Sequence, residues 1–85
     1  MTYQSLNLIG KRVREARYAK KPKITQLNLA SKLQLEGLEI EQTQISKIEN
    51  SSRSVTDIEL SILAKILNVS SSWLIGETDD PQRFS

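Results

Sequence analysis

The segment from Gln42 to Asn50 carries the side chains of this 85-residue sequence that are best suited to chemistry. On an α-helix at 100° per residue, with Gln42 at zero, the apolar residues Ile45 and Ile48 fall at roughly 300° and 240°. The polar residues of the same segment fall at roughly 40° to 140°: Thr43, Ser46, Lys47 and Asn50. Amide, hydroxyl and ammonium groups of this kind pair with base edges in the major groove of DNA. A solvated face is the alternative interpretation, although Glu and Lys are more usual there.

Charge is distributed unevenly along the chain and indicates the kind of partner. Residues 1–35 carry eight positive charges and one negative charge, a net +7, whereas residues 36–85 carry four positive and nine negative charges, a net −5. A basic end on a nearly neutral body suits a polyanion, either nucleic acid or an anionic membrane surface. A lysine-rich face that serves only solubility is the alternative.

The composition excludes the usual parts of most enzymes. Because the sequence has no Cys and no His, it lacks thiol nucleophiles, disulfides, imidazole bases and the commonest metal ligand. The carboxylates of Glu36, Glu39 and Glu41 are the remaining candidate cluster, and without a supporting His we expect them to be solvated. We therefore expect no enzyme activity, no cofactor, no metal and no evident small-molecule site.

The chain carries no sign of a membrane or secretory segment. Its apolar runs are all far shorter than the roughly 20 residues that span a bilayer, and Met1 to Ser5 lacks the pattern of a signal peptide. We expect a cytoplasmic protein that does not bind membranes.

Hydrophobic periodicity predicts helices throughout and no strand, and so an all-α fold. The first helix runs from about Ser5 or Asn7 to the break at Lys20 to Pro22. Hydrophobic staples predict the starts of helices two to five at Gln26, Gln42, Asp57 and Ser71. Residues 1–76 thus form one domain, and residues 77–85, which are acidic and interrupted by proline, form a flexible tail.

Five segments, in order along the chain, carry a resemblance to a known family: 9–17, 24–33, 44–50, 63–70 and 73–76. They resemble the helix-turn-helix domain of the Cro and phage-repressor (XRE) family over about residues 6–77. The resemblance implies a compact five-helix, lambda-repressor-like fold. It also implies a protein that binds double-stranded DNA as a homodimer and regulates transcription, in the manner of a repressor.

The family's functional positions are assigned here by the resemblance. The base-contacting positions are Gln42, Thr43, Ser46 and Lys47, with Gln44 at the margin. The phosphate-contacting positions are Thr25, Gln26, Asn50, Ser52 and Arg53. Arg17 and Glu49 match a family ion pair that joins helices one and three, and Trp73 matches a position that packs on the core.

One departure from the family pattern lies between helices two and three. Eleven residues separate Leu33 from Ile45, whereas the family commonly has about six, so we expect a variant with a lengthened turn. The turn adds three carboxylates, which would weaken binding if they faced phosphates.

The apolar residues of helices four and five bear on the oligomeric state. Helices four and five hold more apolar residues than one stripe can bury, which favours a dimer contact. The alternative to a DNA-binding regulator is a protein-interaction or antitoxin-type module. Such a module would keep the fold but would not read bases on its own.

Overall fold

The structure, a computed structural model, describes residues 2–3 and 6–83, with side chains from residue 8 onward. Its elements are β1 (Thr2–Tyr3), α1 (Leu6–Ala19), α2 (Gln26–Leu35), α3 (Gln42–Glu49), β2 (Val55–Thr56), α4 (Asp57–Leu67) and α5 (Ser71–Leu74). The all-α class is confirmed, and α2 to α5 begin at the four residues that the sequence predicts.

The two short strands are a difference from the prediction. β1 pairs with β2 in antiparallel register, Thr2 opposite Thr56 and Tyr3 opposite Val55. A two-residue strand is too short to show an alternating pattern in the sequence, so periodicity could not reveal it.

Side-chain caps explain where three of the helices begin. Thr25 Oγ1 accepts a hydrogen bond from the backbone N–H of Asn28 at the start of α2, and Ser70 Oγ does the same for α5. Thr56 and Glu59 form the reciprocal capping box of α4. These bonds satisfy backbone donors that have no partner within the helix.

The core lies between α1, α2, α3 and α4, with α5 closing one end. Its members include Val13, Leu29, Leu33, Ile40, Ile45, Ile48, Leu63, Leu67, Trp73 and Leu74. The apolar residues of α4 are mostly accommodated within one copy of the chain, because Ile62 and Ile66 pack partly against this core. Ile58 is 63% exposed. It is therefore the large apolar residue of α4 that one copy of the chain leaves available for the predicted dimer contact.

Residues beyond α5 contact the body of the domain. The Arg12 guanidinium stacks over the Trp73 ring, 4.8 Å from its centroid, and donates to the Thr78 carbonyl oxygen over 2.8 Å. The backbone N–H of Ser70 donates to the Pro81 carbonyl oxygen over 3.0 Å. The domain boundary at residue 76 and the flexibility of residues 77–85 remain predictions.

Gly10 sets how closely α1 crosses the end of α3. A Cβ atom at Gly10 would lie 2.4 Å from the carbonyl oxygen of Ile48 and 2.6 Å from that of Glu49. Both are backbone atoms, so the two helices would have to move apart. We expect Gly10→Ala to lower the free energy of unfolding by about 3 kcal/mol, because overpacking exceeds the gain of roughly 1 kcal/mol in helix propensity.

Chemical denaturation followed by Trp73 fluorescence measures this effect. Gly37→Ala is the control, because a Cβ there meets nothing within 4 Å and its cost comes only from the left-handed backbone, φ +95°. We expect that cost to be about 1 kcal/mol. A Gly10→Ala protein as stable as the wild type would contradict the close approach of α1 to the end of α3.

Candidate nucleic-acid interface

The solvent face of α3 presents most of the predicted base-contacting residues together. Gln42, Thr43 and Lys47 are exposed and Ser46 is half-buried, whereas Ile45 and Ile48 on the same helix are buried. The separation follows from helical periodicity, since the buried residues recur every three positions. The structure thus gathers amide, hydroxyl and ammonium groups on one accessible surface.

Gln44 lies apart from this surface. It is half-buried and lines a groove of about 600 Å³ together with Gln34, Glu41 and Arg53. This groove runs beside the long turn, on another side of α3. Of the five predicted base-contacting residues, Gln44 is therefore the one that the fold directs toward the turn.

A second groove, of about 320 Å³, joins the start of α2 to the start of α3. Its lining includes Thr25, Gln26 and Gln42, together with the cationic Arg14 and Lys23. Backbone N–H groups at a helix start and nearby cations both favour an anion. The structure thus brings two predicted phosphate-contacting residues next to the first residue of α3.

Arg14 and Lys23 were not assigned from the sequence. The charge excess of residues 1–35 indicated a basic region, but it did not indicate which of its eight cations would lie beside α3.

Glu49 also lines this groove, and it is the centre of a buried hydrogen-bonded cluster. Its Oε2 accepts from Arg17 Nε over 2.6 Å, and its Oε1 accepts from the Arg17 Nη2 over 2.8 Å. The same Oε1 accepts from Gln26 Nε2 over 3.1 Å and from Arg14 Nε over 3.3 Å. Arg17 also donates to the Ile24 carbonyl oxygen over 2.8 Å. The cluster ties α1, the start of α2 and the end of α3 together.

Two of the charged groups in this cluster are almost fully removed from water, since Arg17 and Glu49 are each 5% exposed, whereas the Arg14 side chain remains exposed. Burial alone would raise the pKa of Glu49, but hydrogen bonds from Arg17 and Gln26 outweigh it and hold the pKa below 4.5. The hydrogen bond to Glu49 raises the pKa of Arg17 against the opposing effect of burial. Both residues therefore stay ionised at neutral pH.

The loop after α3 is held by its own contacts. The Asn50 Oδ1 accepts from the backbone N–H of Ser52 over 3.1 Å and also from its hydroxyl. Arg53 donates through Nη1 and Nη2 to the two carboxylate oxygens of Glu59, over 2.9 and 2.6 Å. The Arg53 guanidinium thus fastens this loop to α4. Thr56 and Glu59 match a capping box in the sequence, S/T followed three residues later by Glu, but nothing in the sequence indicates the pair of Glu59 with Arg53.

Acid should weaken the fold through Glu49 and Glu59. Burial acts to raise the pKa of Glu59, but Arg53 and Thr56 lower it below 4.5 overall. A carboxylate whose folded pKa is depressed contributes stability above its unfolded pKa, and that contribution is lost as pH falls through the folded pKa. We expect the urea midpoint to stay level between about pH 6 and 8, because the chain has no His, and to fall below about pH 4.5. A midpoint that rises on acidification would contradict this assignment.

The long turn directs its carboxylates in different directions. Glu36 accepts from Lys65 Nζ over 2.8 Å and therefore faces α4. Glu39 and Glu41 are exposed, and the Glu41 side chain makes no capping bond to α3. Gln34 Nε2 donates to the Ile40 carbonyl oxygen over 2.7 Å, and Ile40 is buried. The turn is thus packed onto the domain, and at least one of its three added charges points away from α3.

Membrane-spanning helices and metal-binding clusters are two other features that the described residues could contain. No helix in residues 6–83 is long and apolar enough to cross a membrane. Within the same described part of the chain, no three acidic side chains come together in a way that would hold a metal ion.

Comparison with protein-family models gives a match. The helix-turn-helix family model matches residues 14–74, which is well over half of the chain. The matched span contains every residue to which the sequence assigned a DNA contact. No curated protein matches the chain.

Proposed function

The chain belongs to the XRE-type helix-turn-helix family of DNA-binding transcription regulators, and from this premise we propose that it is a sequence-specific repressor. It binds a symmetric operator as a homodimer, with α3 in the major groove of double-stranded DNA. The observation that carries the proposal is the α3 surface of Gln42, Thr43, Ser46 and Lys47, which lies open to solvent directly beside the groove of Thr25 and Gln26.

A phosphate at the start of α2 fixes the position of the domain on the duplex. The groove there is lined by the cations Arg14 and Lys23, and a helix N-terminus beside cations favours an anion. Gln26 supports this role because its amide nitrogen carries two donors. Glu49 takes one of them, so the second remains for a phosphate oxygen. At the other end of α3, Asn50 and Ser52 contact phosphates of the DNA backbone.

The α3 side chains then read base edges. Gln42 forms two hydrogen bonds with adenine, and Lys47 donates to guanine. The methyl group of Thr43 packs against the methyl group of thymine. Ser46, which is half-buried, can donate a hydrogen bond to a base edge or accept one from it. Arg53 contributes to the interface indirectly, by fastening the loop after α3 to Glu59.

A homodimer would place two copies of α3 in successive major grooves, about 34 Å apart along the duplex. Ile58, exposed at the start of α4, is one apolar side chain available for such a contact. The operator would then be a palindrome or close to one, because it mirrors the two-fold symmetry of the protein.

Selection of bound duplexes from a random double-stranded pool tests this proposal. We expect a two-fold symmetric motif to be enriched at about 50 mM and about 200 mM salt, with weaker overall binding at the higher salt. Binding without any motif would mean that only the basic half of the domain is acting. No binding by folded protein at either salt would favour the protein-interaction module instead.

A further inference from the structure

A separate groove of about 570 Å³ lies along the outer side of α2 and is strongly basic. The lysine groove, as we name it, is defined by Lys20, Lys21, Lys23, Lys32, Ile24 and Leu35. Four lysines line this one concave surface, and no acidic residue lines it. Such a surface attracts an anionic ligand.

The lysine groove also has an apolar component that simple solvation does not explain. Leu35 is 87% exposed, and it is the most exposed large apolar side chain of the described residues. Ile24 is half-buried and also lines the lysine groove. An adjoining groove continues past Leu35 to Ile66 on α4, and its one carboxylate, Glu36, pairs with Lys65. An apolar strip bordered by lysines is therefore presented to solvent.

The position of this strip on α2 separates it from the interface formed by α3. Lys32 and Leu35 lie on one helical stripe with Asn28 and Ser31, at i, i+3, i+4 and i+7 spacing, opposite the buried residues of α2. No residue of α3 lines the lysine groove, and Lys23 is the one side chain it shares with the groove at the start of α3.

We propose that the lysine groove is a docking surface for an acidic, amphipathic segment of a partner protein. Apolar side chains of that segment would pack on Leu35 and Ile24, and its carboxylates would pair with Lys20 and Lys32. A DNA backbone would match the charge but gains nothing from an exposed leucine, so the apolar strip favours a peptide. The proposal does not depend on base reading, because it uses no α3 side chain.

A synthetic acidic peptide with leucines at i and i+4 among glutamates is the probe, and the same peptide with serines in place of the leucines is its control. Binding to the full chain is followed by fluorescence anisotropy and by backbone amide NMR shifts. We expect the leucine peptide to shift residues 20–35 and to bind with a Kd of about 1 mM or lower.

Matched variants locate the contact. Leu35→Ser should weaken binding of the leucine peptide about tenfold, and Lys20→Glu with Lys32→Glu should abolish it. Leu27→Ser is the control, because Leu27 is also exposed on α2, at 58%, but does not line the groove. Leu27→Ser should bind like the wild type, and the operator affinity of Leu35→Ser should be unchanged.

Other results would overturn the proposal. Equal binding of the two peptides, or no binding of either, would leave no role for the apolar strip. Displacement of the peptide by a non-operator duplex that shifts the same residues would make the groove a phosphate contact. Loss of self-association in Leu35→Ser, seen by sedimentation, would assign the strip to a second copy of this chain.

Discussion

Alanine at Gln42, Thr43 and Lys47 together is expected to reduce affinity for the selected operator to that for unrelated duplex DNA. The loss should be about 10³-fold or more, which is the usual gap between specific and non-specific binding. All three side chains are exposed and none supports the core, so the variant should fold normally. Anisotropy with labelled operator and unrelated duplexes, at one fixed salt concentration, measures the effect.

The chain offers a closely matched control on α2. Asn28, Ser31 and Lys32 are also an amide, a hydroxyl and a lysine at exposed helical positions. Their triple alanine variant removes the same charge as the α3 variant and should keep operator preference. An equal loss in both variants would mean that charge, and not base reading by α3, accounts for binding.

Glu49→Ala is expected to cause the largest loss of stability. It removes the acceptor of two Arg17 hydrogen bonds and leaves that guanidinium 5% exposed without its counter-charge. Breaking a buried pair in this way costs about 3–5 kcal/mol, and the whole domain has only about 5–15 kcal/mol. Urea unfolding followed by the buried Trp73, the only tryptophan, measures the change.

A second variant keeps this prediction testable if Glu49→Ala does not fold. Replacing both partners, Arg17→Met with Glu49→Met, removes both charges and fills similar space. This double variant should be more stable than Glu49→Ala, because it leaves no buried charge without a partner. Equal stability of the two proteins would contradict this prediction, because a buried guanidinium without its counter-charge would then carry no cost.

The starts of the helices could be predicted because their signals are local. Thr56 and Glu59 lie three residues apart and cap α4 with their own side chains, and the staple before Gln42 requires only the residues around it. The exposed α3 surface was predictable for the same reason, since Ile45 and Ile48 alone define which side faces the core.

The contacts that shape the rest of the site could not be predicted because they join distant elements. Arginine is a common phosphate contact, and the sequence assigned Arg53 to that role. Its ion pair with Glu59 forms because α4 packs beside the loop after α3. Likewise, Lys65 draws Glu36 toward α4. The hydrogen bond from Gln26 to Glu49 depends on how α2 meets α3. Family resemblance supplied the partners Arg17 and Glu49, whereas residue type alone would have left both as surface charges.

We propose that individual α3 side chains read individual bases, and selection of duplexes with single variants tests this proposal. Gln42→Ala, Thr43→Ala and Lys47→Gln would each be passed through the random duplex pool beside the wild type. We predict that each variant changes the preferred base at a different position, symmetrically in both half-sites, with guanine giving way to adenine for Lys47→Gln. An unchanged motif in all three variants would contradict the claim.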